Sequence, residues 1–169
     1  MTMKRKTRTI LEELNSLYKD HNKSAIIESR AIHIIDSAIN LVNIIANDGD
    51  SYTPHINIDF ASTKKNVSYK KSVFKEIKQG MSDAVYKEGG TAYNINISDN
   101  NVKVYGKTGT AQLCANCDIE PHAWFAGLIQ LKDGKSFSIC VLIENGGKGS
   151  NLSTKIAKKI FNYILGENV

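Results

Sequence analysis

Two long apolar runs joined across an Asp-Gly turn limit the fold of this chain more than any other stretch. "HAWFAGLIQL" turns at "KDGK" and returns as "SFSICVLIE", a pattern that predicts an antiparallel hairpin because Asp-Gly favours the tight reversal between strands. Both runs are nearly continuous in apolar residues, so their sheet is expected to be covered on both faces. The two-residue period begins earlier, at Thr91: "YNINI", a turn at "SDNN", and "VKVYGKTGT" predict a second hairpin.

Around these strands the period is helical. Ile10, Leu11, Leu14, Leu17 and Tyr18 predict an amphipathic helix over residues 9–20. A stronger one runs over 29–47, with Ile32, Ile35, Ile39, Val42 and Ala46 on one stripe, and "NDGD" stops it at Gly49. "SYTPHINIDF" reads as extended, Pro54 excluding a helical entry. The polar stretch "ASTKKNVSYKKS" leads into a helix with Val73, Phe74, Ile77, Met81 and Val85 inward, ended by "KEGG". The last helix sets Leu152, Ile156, Ile160, Phe161 and Ile164 inward and Lys155, Lys158 and Lys159 to water. The expected class is α+β: helices, then antiparallel strands, then a C-terminal helix packed on the sheet. Its 169 residues, 41% hydrophobic, are enough for one domain with a real core. Residues 30–169 are assigned to that domain and residues 1–29 to an unassigned N-terminal helical extension.

Charge and composition exclude several functions. The net charge is +5, but Lys supplies nearly all of it; Arg occurs only at Arg5, Arg8 and Arg30, with no aromatics interleaved, so nucleic acid is not an expected partner. Glu12 and Glu13 interrupt the apolar core that an export signal needs, and Asp36, Asn40 and Asn43 interrupt the most apolar run. Neither a signal peptide nor a membrane span is therefore expected, and the chain as written reads as cytoplasmic. Cys114 and Cys117 form a C-A-N-C pair with only His122 nearby, which falls short of four zinc ligands. With Cys140 they are read as structural or incidental cysteines, and no metal or cofactor is expected.

The chemistry-bearing element is Lys107-Thr108-Gly109-Thr110, at the end of a predicted strand. Gly109 permits close approach to the strand, two threonines offer adjacent hydroxyls, and Lys107 brings a cation. Such a set suits a carboxylate-bearing peptide laid along a strand edge. A bare Lys-Thr-Gly is weak evidence, and the surroundings strengthen it. "GKTGTAQ" resembles the third active-site motif of the penicillin-binding proteins, the D,D-transpeptidases that cross-link peptidoglycan. "GMSDAVYKEGGTAY" before it, "PHAWFAGLI" after it, the closing "ICVLIENGGKGSNLSTKIAKKIFNYIL" and the upstream "IHIIDSAINLVNIIANDGDSYTPHI" are similar to that family's segments in the same order. The resemblance covers roughly residues 30–166 and best fits the C-terminal part of a class B enzyme, elongation-type rather than division-type.

The resemblance implies that Lys107 polarises the site and that Thr108 and Thr110 bind the terminal carboxylate of a D-Ala-D-Ala stem peptide or a β-lactam. It also implies that the Thr110 backbone N–H is half of an oxyanion hole, with the N–H of the family's nucleophilic serine as the other half. That family activates its serine in an S-x-x-K motif. Four pairs match here, Ser16/Lys19, Ser62/Lys65, Ser68/Lys71 and Ser72/Lys75. A catalytic lysine must be desolvated to lose its proton near neutrality, and all four pairs fall on solvated segments. The family's second motif, S-x-N, is matched only by Ser98-Asp99-Asn100, in the predicted turn, roughly 23 Å along the strand from Lys107. The expectation is a transpeptidase-domain fragment that lacks the nucleophile, inactive alone, whose further partner is an N-terminal fragment of the same domain. The alternative is a non-catalytic relic or interaction module that keeps the fold. The family works at the periplasmic face of the cell membrane.

Overall fold

The computed structural model describes residues 29–52, 63–112 and 118–166, with the backbone alone for 29–33. Contacts divide the chain into Met1–His33 and Ile34–Val169, and the description below is of the second unit. The elements are α1 (Ser29–Ala46), β1 (Asp50–Tyr52), β2 (Lys64–Asn66), α2 (Lys71–Tyr86), β3 (Val102–Ala111), β4 (His122–Leu131), β5 (Ser136–Ile143) and α3 (Leu152–Leu165). The expected helix over 9–20, most of "SYTPHINIDF" and the C-A-N-C pair lie outside the described residues.

The predicted β4–β5 hairpin is present, with Phe125 opposite Val141 and Ile129 opposite Phe137. Its turn closes through the Gly134 N–H to the Leu131 carbonyl, and Gly134 takes φ +86°, a conformation that glycine reaches without strain. β3 adds antiparallel to the other side of β4, giving the order β3-β4-β5. On one face Val102, Val104, Phe125, Ile129, Val141 and Ile143 are buried against α2 and α3, with Ala157 and Phe161 of α3 fully covered. Phe125 and Phe161 meet edge to face, centroids 6.5 Å apart. On the other face Tyr105 packs against Ile45 of α1 and Phe74 and Met81 of α2. Ser138 of β5 donates to Asn43 Oδ1 at 2.6 Å on that side. Apolar residues on both faces are thus covered, as the near-continuous runs require.

The helices follow the periodicity, with two corrections. α1 ends in a Schellman motif, the Gly49 N–H bonding the Ile44 carbonyl and Asp48 N–H that of Ile45, and the left-handed residue is Asp48 at φ +52°. In α2, Phe74, Met81 and Val85 are buried while Val73 and Ile77 are over a third exposed. In α3 the fully buried stripe is Ser153, Thr154, Ala157 and Phe161, whereas Leu152, Ile156 and Ile164 flank it half-buried. Two polar residues hold core positions because each is satisfied locally. Ser153 Oγ donates to the Gly149 carbonyl at 2.5 Å, and Thr154 Oγ1 bonds the Ser150 and Asn151 carbonyls.

The second predicted hairpin is overturned on its first strand. Tyr93–Ile95 is a 3-10 turn, not a strand, with the Ile95 N–H on the Ala92 carbonyl and the Asn96 N–H on that of Tyr93. The alternation in "YNINI" holds only over Ile95 and Ile97, which are buried while Asn94 and Asn96 are not; Tyr93, of the same parity, is exposed, as a tight turn allows and a strand face would not. Two long-range contacts decide the outcome. Asn94 Nδ2 is held by Thr154 Oγ1 at 2.8 Å, and the edge of β3 that the hairpin would use is taken by Tyr86 of α2. The turn at Ser98-Asp99-Asn100 survives, Asp99 Oδ1 accepting the Asn101 N–H at 2.8 Å. β1 pairs with β2, a short ladder that the polar sequence of 63–66 did not announce.

Cys140 lies on β5 opposite Ala126. Burial pushes its thiol up to about 11. At pH 8 its alkylation by iodoacetamide should be on the order of a hundredfold slower than that of an unfolded cysteine, because so little thiolate is present. Peptide mapping by mass spectrometry, before and after urea, measures this; equal rates at Cys140 would contradict the burial.

Candidate active-site strand

The strand end carrying Lys107-Thr108-Gly109-Thr110 is positioned from three sides. Val104 donates its N–H to Tyr86 Oη at 3.0 Å, at the edge of β3 away from β4. Burial pushes the Tyr86 hydroxyl up from its ordinary pKa, with the Val104 N–H opposing. Backbone groups alternate along a strand, so the N–H groups of Thr108 and Thr110 point to that same outer edge. Thr108, 8% exposed, turns its side chain inward and its hydroxyl donates to Thr91 Oγ1 at 2.8 Å. Thr110 is exposed, and its hydroxyl oxygen accepts the Gly149 N–H at 3.2 Å. Lys107 is exposed on the opposite face and its Nζ donates to the Thr108 carbonyl at 2.7 Å.

The glycines of this region make room for close approach. Gly106 and Gly127 face each other across β3 and β4, and the Phe125 ring fills the space where side chains would stand: a Cβ on Gly106 would come within 2.5 Å of it. Gly109 pairs with Trp124, whose Cβ would be 3.2 Å from a Cβ there. Gly149, in the loop before α3, runs so near the strand end that a Cβ would lie 2.1 Å from the Gly109 carbonyl oxygen. With Ser153 bonded to the Gly149 carbonyl, α3 is tied directly to the motif.

The arrangement can therefore present two outward backbone N–H groups, a threonine hydroxyl and a lysine within one strand end. Thr91, Tyr86 and Gly149 hold it in place, and sequence reasoning did not single them out. For Thr91 the signal was available, since "GGTAY" belongs to a segment already matched to the family; for Tyr86 and Gly149 only the packing reveals the role. The S-x-x-K pairs are elsewhere or undescribed. Ser16, Lys19 and Ser62 lie outside the described residues, and Ser68, Lys71, Ser72 and Lys75 are exposed on or beside α2. Ser72, Lys75, Ser98 and Asn100 line one open groove, which Lys107, Thr108 and Thr110 do not line. His122, nearest the C-A-N-C pair, accepts the Asn145 N–H through Nδ1 at 3.0 Å.

Residues 37–166 match the family description "Penicillin binding protein transpeptidase domain". The chain belongs to that family. It is 28% identical over 112 residues to the peptidoglycan D,D-transpeptidase MrdA of Haemophilus influenzae, covering 59% of this chain and 17% of that protein. Among solved structures it resembles penicillin-binding protein PBP2 from a complex with MreC of Helicobacter pylori, with 26% identity, TM-score 0.59, and coverage of 76% of this chain and 24% of that one. It also shares the fold of the D,D-transpeptidase domain of a peptidoglycan glycosyltransferase from Eggerthella lenta: TM-score 0.59, 23% identity, 76% of this chain and 31% of that one. The class B assignment stands with these matches, and the partial α+β transpeptidase fold is the one expected. The chain spans less than a third of each relative. Among the described residues, no helix is long and apolar enough to cross a membrane.

Proposed function

We propose that this transpeptidase-family chain supplies the carboxylate-recognising and oxyanion-stabilising strand of a D,D-transpeptidase of the elongation type, and that the attacking serine comes from polypeptide outside these residues. In this reading the terminal carboxylate of a D-Ala-D-Ala stem peptide, or of a β-lactam, is met by the Thr110 hydroxyl and by Lys107, while Thr108, expected from the sequence to share that contact, is turned inward onto Thr91 and steadies the strand end instead. The Thr110 N–H stabilises the developing oxyanion. The serine oxygen bonds to the acyl carbon and the bond to the leaving amine breaks, the amine taking a proton; the acyl group then passes to the amine of a second stem peptide.

The observation that carries this is the outer edge of β3. The Val104 bond to Tyr86 sets the parity that turns the Thr110 N–H outward, beside a lysine whose ammonium already bonds a strand carbonyl. Among the described residues, Ser72 and Lys75 line a groove that Lys107, Thr108 and Thr110 do not line. Work at the periplasmic face, where the family acts, follows if the complementing polypeptide carries the anchor.

The test is intact-mass analysis with a labelled penicillin. The chain alone is expected to stay unmodified, and co-expression with an N-terminal transpeptidase fragment carrying S-x-x-K and S-x-N should yield an adduct on that fragment. Lys107→Ala should slow acylation of the pair by about a hundredfold or more. An adduct on the isolated chain overturns the proposal, and no adduct in the complemented pair favours the non-catalytic module.

A further inference from the structure

A groove of about 1000 Å³ opens between α2 and the start of β3. One wall is a single stripe of α2, on which Lys71, Lys75 and Lys78 follow at i, i+4 and i+7; Lys103 of β3 stands on the other wall. Its acidic lining residues are Asp48 and Asp99. Asp48 is committed to Lys78 at 2.6 Å, and Asp99 is turned into its own loop, Oδ1 accepting from the Asn101 N–H and Nδ2. Among the described residues no carboxylate is in ion-pair range of Lys71, Lys75 or Lys103.

Like charges one helical turn apart repel, and a concave wall brings Lys103 into the same field, so the free chain carries an unfavourable cluster that an anion would relieve. The aromatic and aliphatic floor, Tyr86, Tyr105, Ile97 and Val102, lowers the local dielectric and strengthens the attraction. Ser72, Ser82, Ser98 and Asn100 add hydrogen-bond donors around the rim. The helix rise sets Lys71 and Lys75 about 6 Å apart along α2, with Lys103 on the other wall and Lys78 held by Asp48, so a single small anion reaches only part of the unpaired set and a linear one with several charges reaches all three. Compact ammonium groups with hydroxyl donors suit phosphate oxygens.

We propose that this groove is a binding site for an oligophosphate anion. Lys103 lies four residues, about 13 Å, before Lys107 along β3, so the site is separate from the transpeptidase strand end and does not rest on its function.

Calorimetric titration of the full chain with inorganic tripolyphosphate at low and rising salt tests it. The variant Lys75→Glu/Lys103→Glu should weaken binding by about tenfold or more, and added salt should weaken binding to the unaltered chain. The control Lys155→Glu/Lys159→Glu, which makes the same charge change on the exposed side of α3, should leave it within about twofold. Absence of binding at millimolar tripolyphosphate, equal losses in both variants, or tighter binding of hexaglutamate than of tripolyphosphate would each overturn the assignment.

Discussion

Phe125→Ala is expected to cost about 3–5 kcal/mol, read as a fall in the urea midpoint at unchanged slope. Phe125 is fully buried at the centre of β4, beneath Phe161 of α3 and between Gly106 and Gly127. Those two glycines have no side chains with which to fill the space the ring leaves, and the strands that carry them are held apart by ladder hydrogen bonds. The cavity therefore cannot collapse, which places the cost in the upper range for such truncations. Domains are stable by only about 5–15 kcal/mol, so this one change consumes a large fraction. A loss of about 1 kcal/mol or less would mean that the sheet and α3 do not share one core.

Gly149→Ala should destabilise by about 3 kcal/mol and loosen the motif strand specifically. The added Cβ would meet the Gly109 carbonyl oxygen at 2.1 Å and that of Trp124 at 2.7 Å, and both are backbone atoms of paired strands. Neither can turn aside as a flexible side chain would, so the loop must retreat. Retreat breaks the Gly149 N–H bond to Thr110 and the Ser153 bond to the Gly149 carbonyl. Faster amide exchange at Lys107 and Gly109, whose N–H groups face β4, with β4–β5 exchange preserved, is the expected signature. Uniform loss across the sheet, or none at Gly109, would show that the loop does not hold the strand end.

The two changes divide the labour within the fold. Phe125 secures the body of the sheet to α3, and Gly149 secures one end of β3 to the same helix. The strand end is thus fixed from its inner face and by Tyr86 along its edge, while its outermost backbone groups stay open. Such rigidity has a chemical use, since donors aimed at a developing charge stabilise it best when they need not move.

Much of this was legible in the residues. The Asp-Gly turn and the flanking runs determined the β4–β5 hairpin, the helical stripes determined α1, α2 and α3 to within a few residues, and the order of segments around Lys107 carried the family. These signals are local: a turn, a period or a motif is written in neighbouring residues and needs no distant partner. Tertiary structure decided the rest. "YNINI" became a 3-10 turn because Tyr86 had taken the strand edge and Thr154 held Asn94. Ser153 and Thr154 entered the core because backbone carbonyls of their own helix start accept their hydroxyls, which an inventory of apolar residues passes over. The outward parity of the Thr110 N–H and the close approach of Gly149 likewise exist only once α2, β3 and α3 are packed together. Each depends on residues far apart in the chain, and periodicity carries no record of which distant group arrives first at a shared edge.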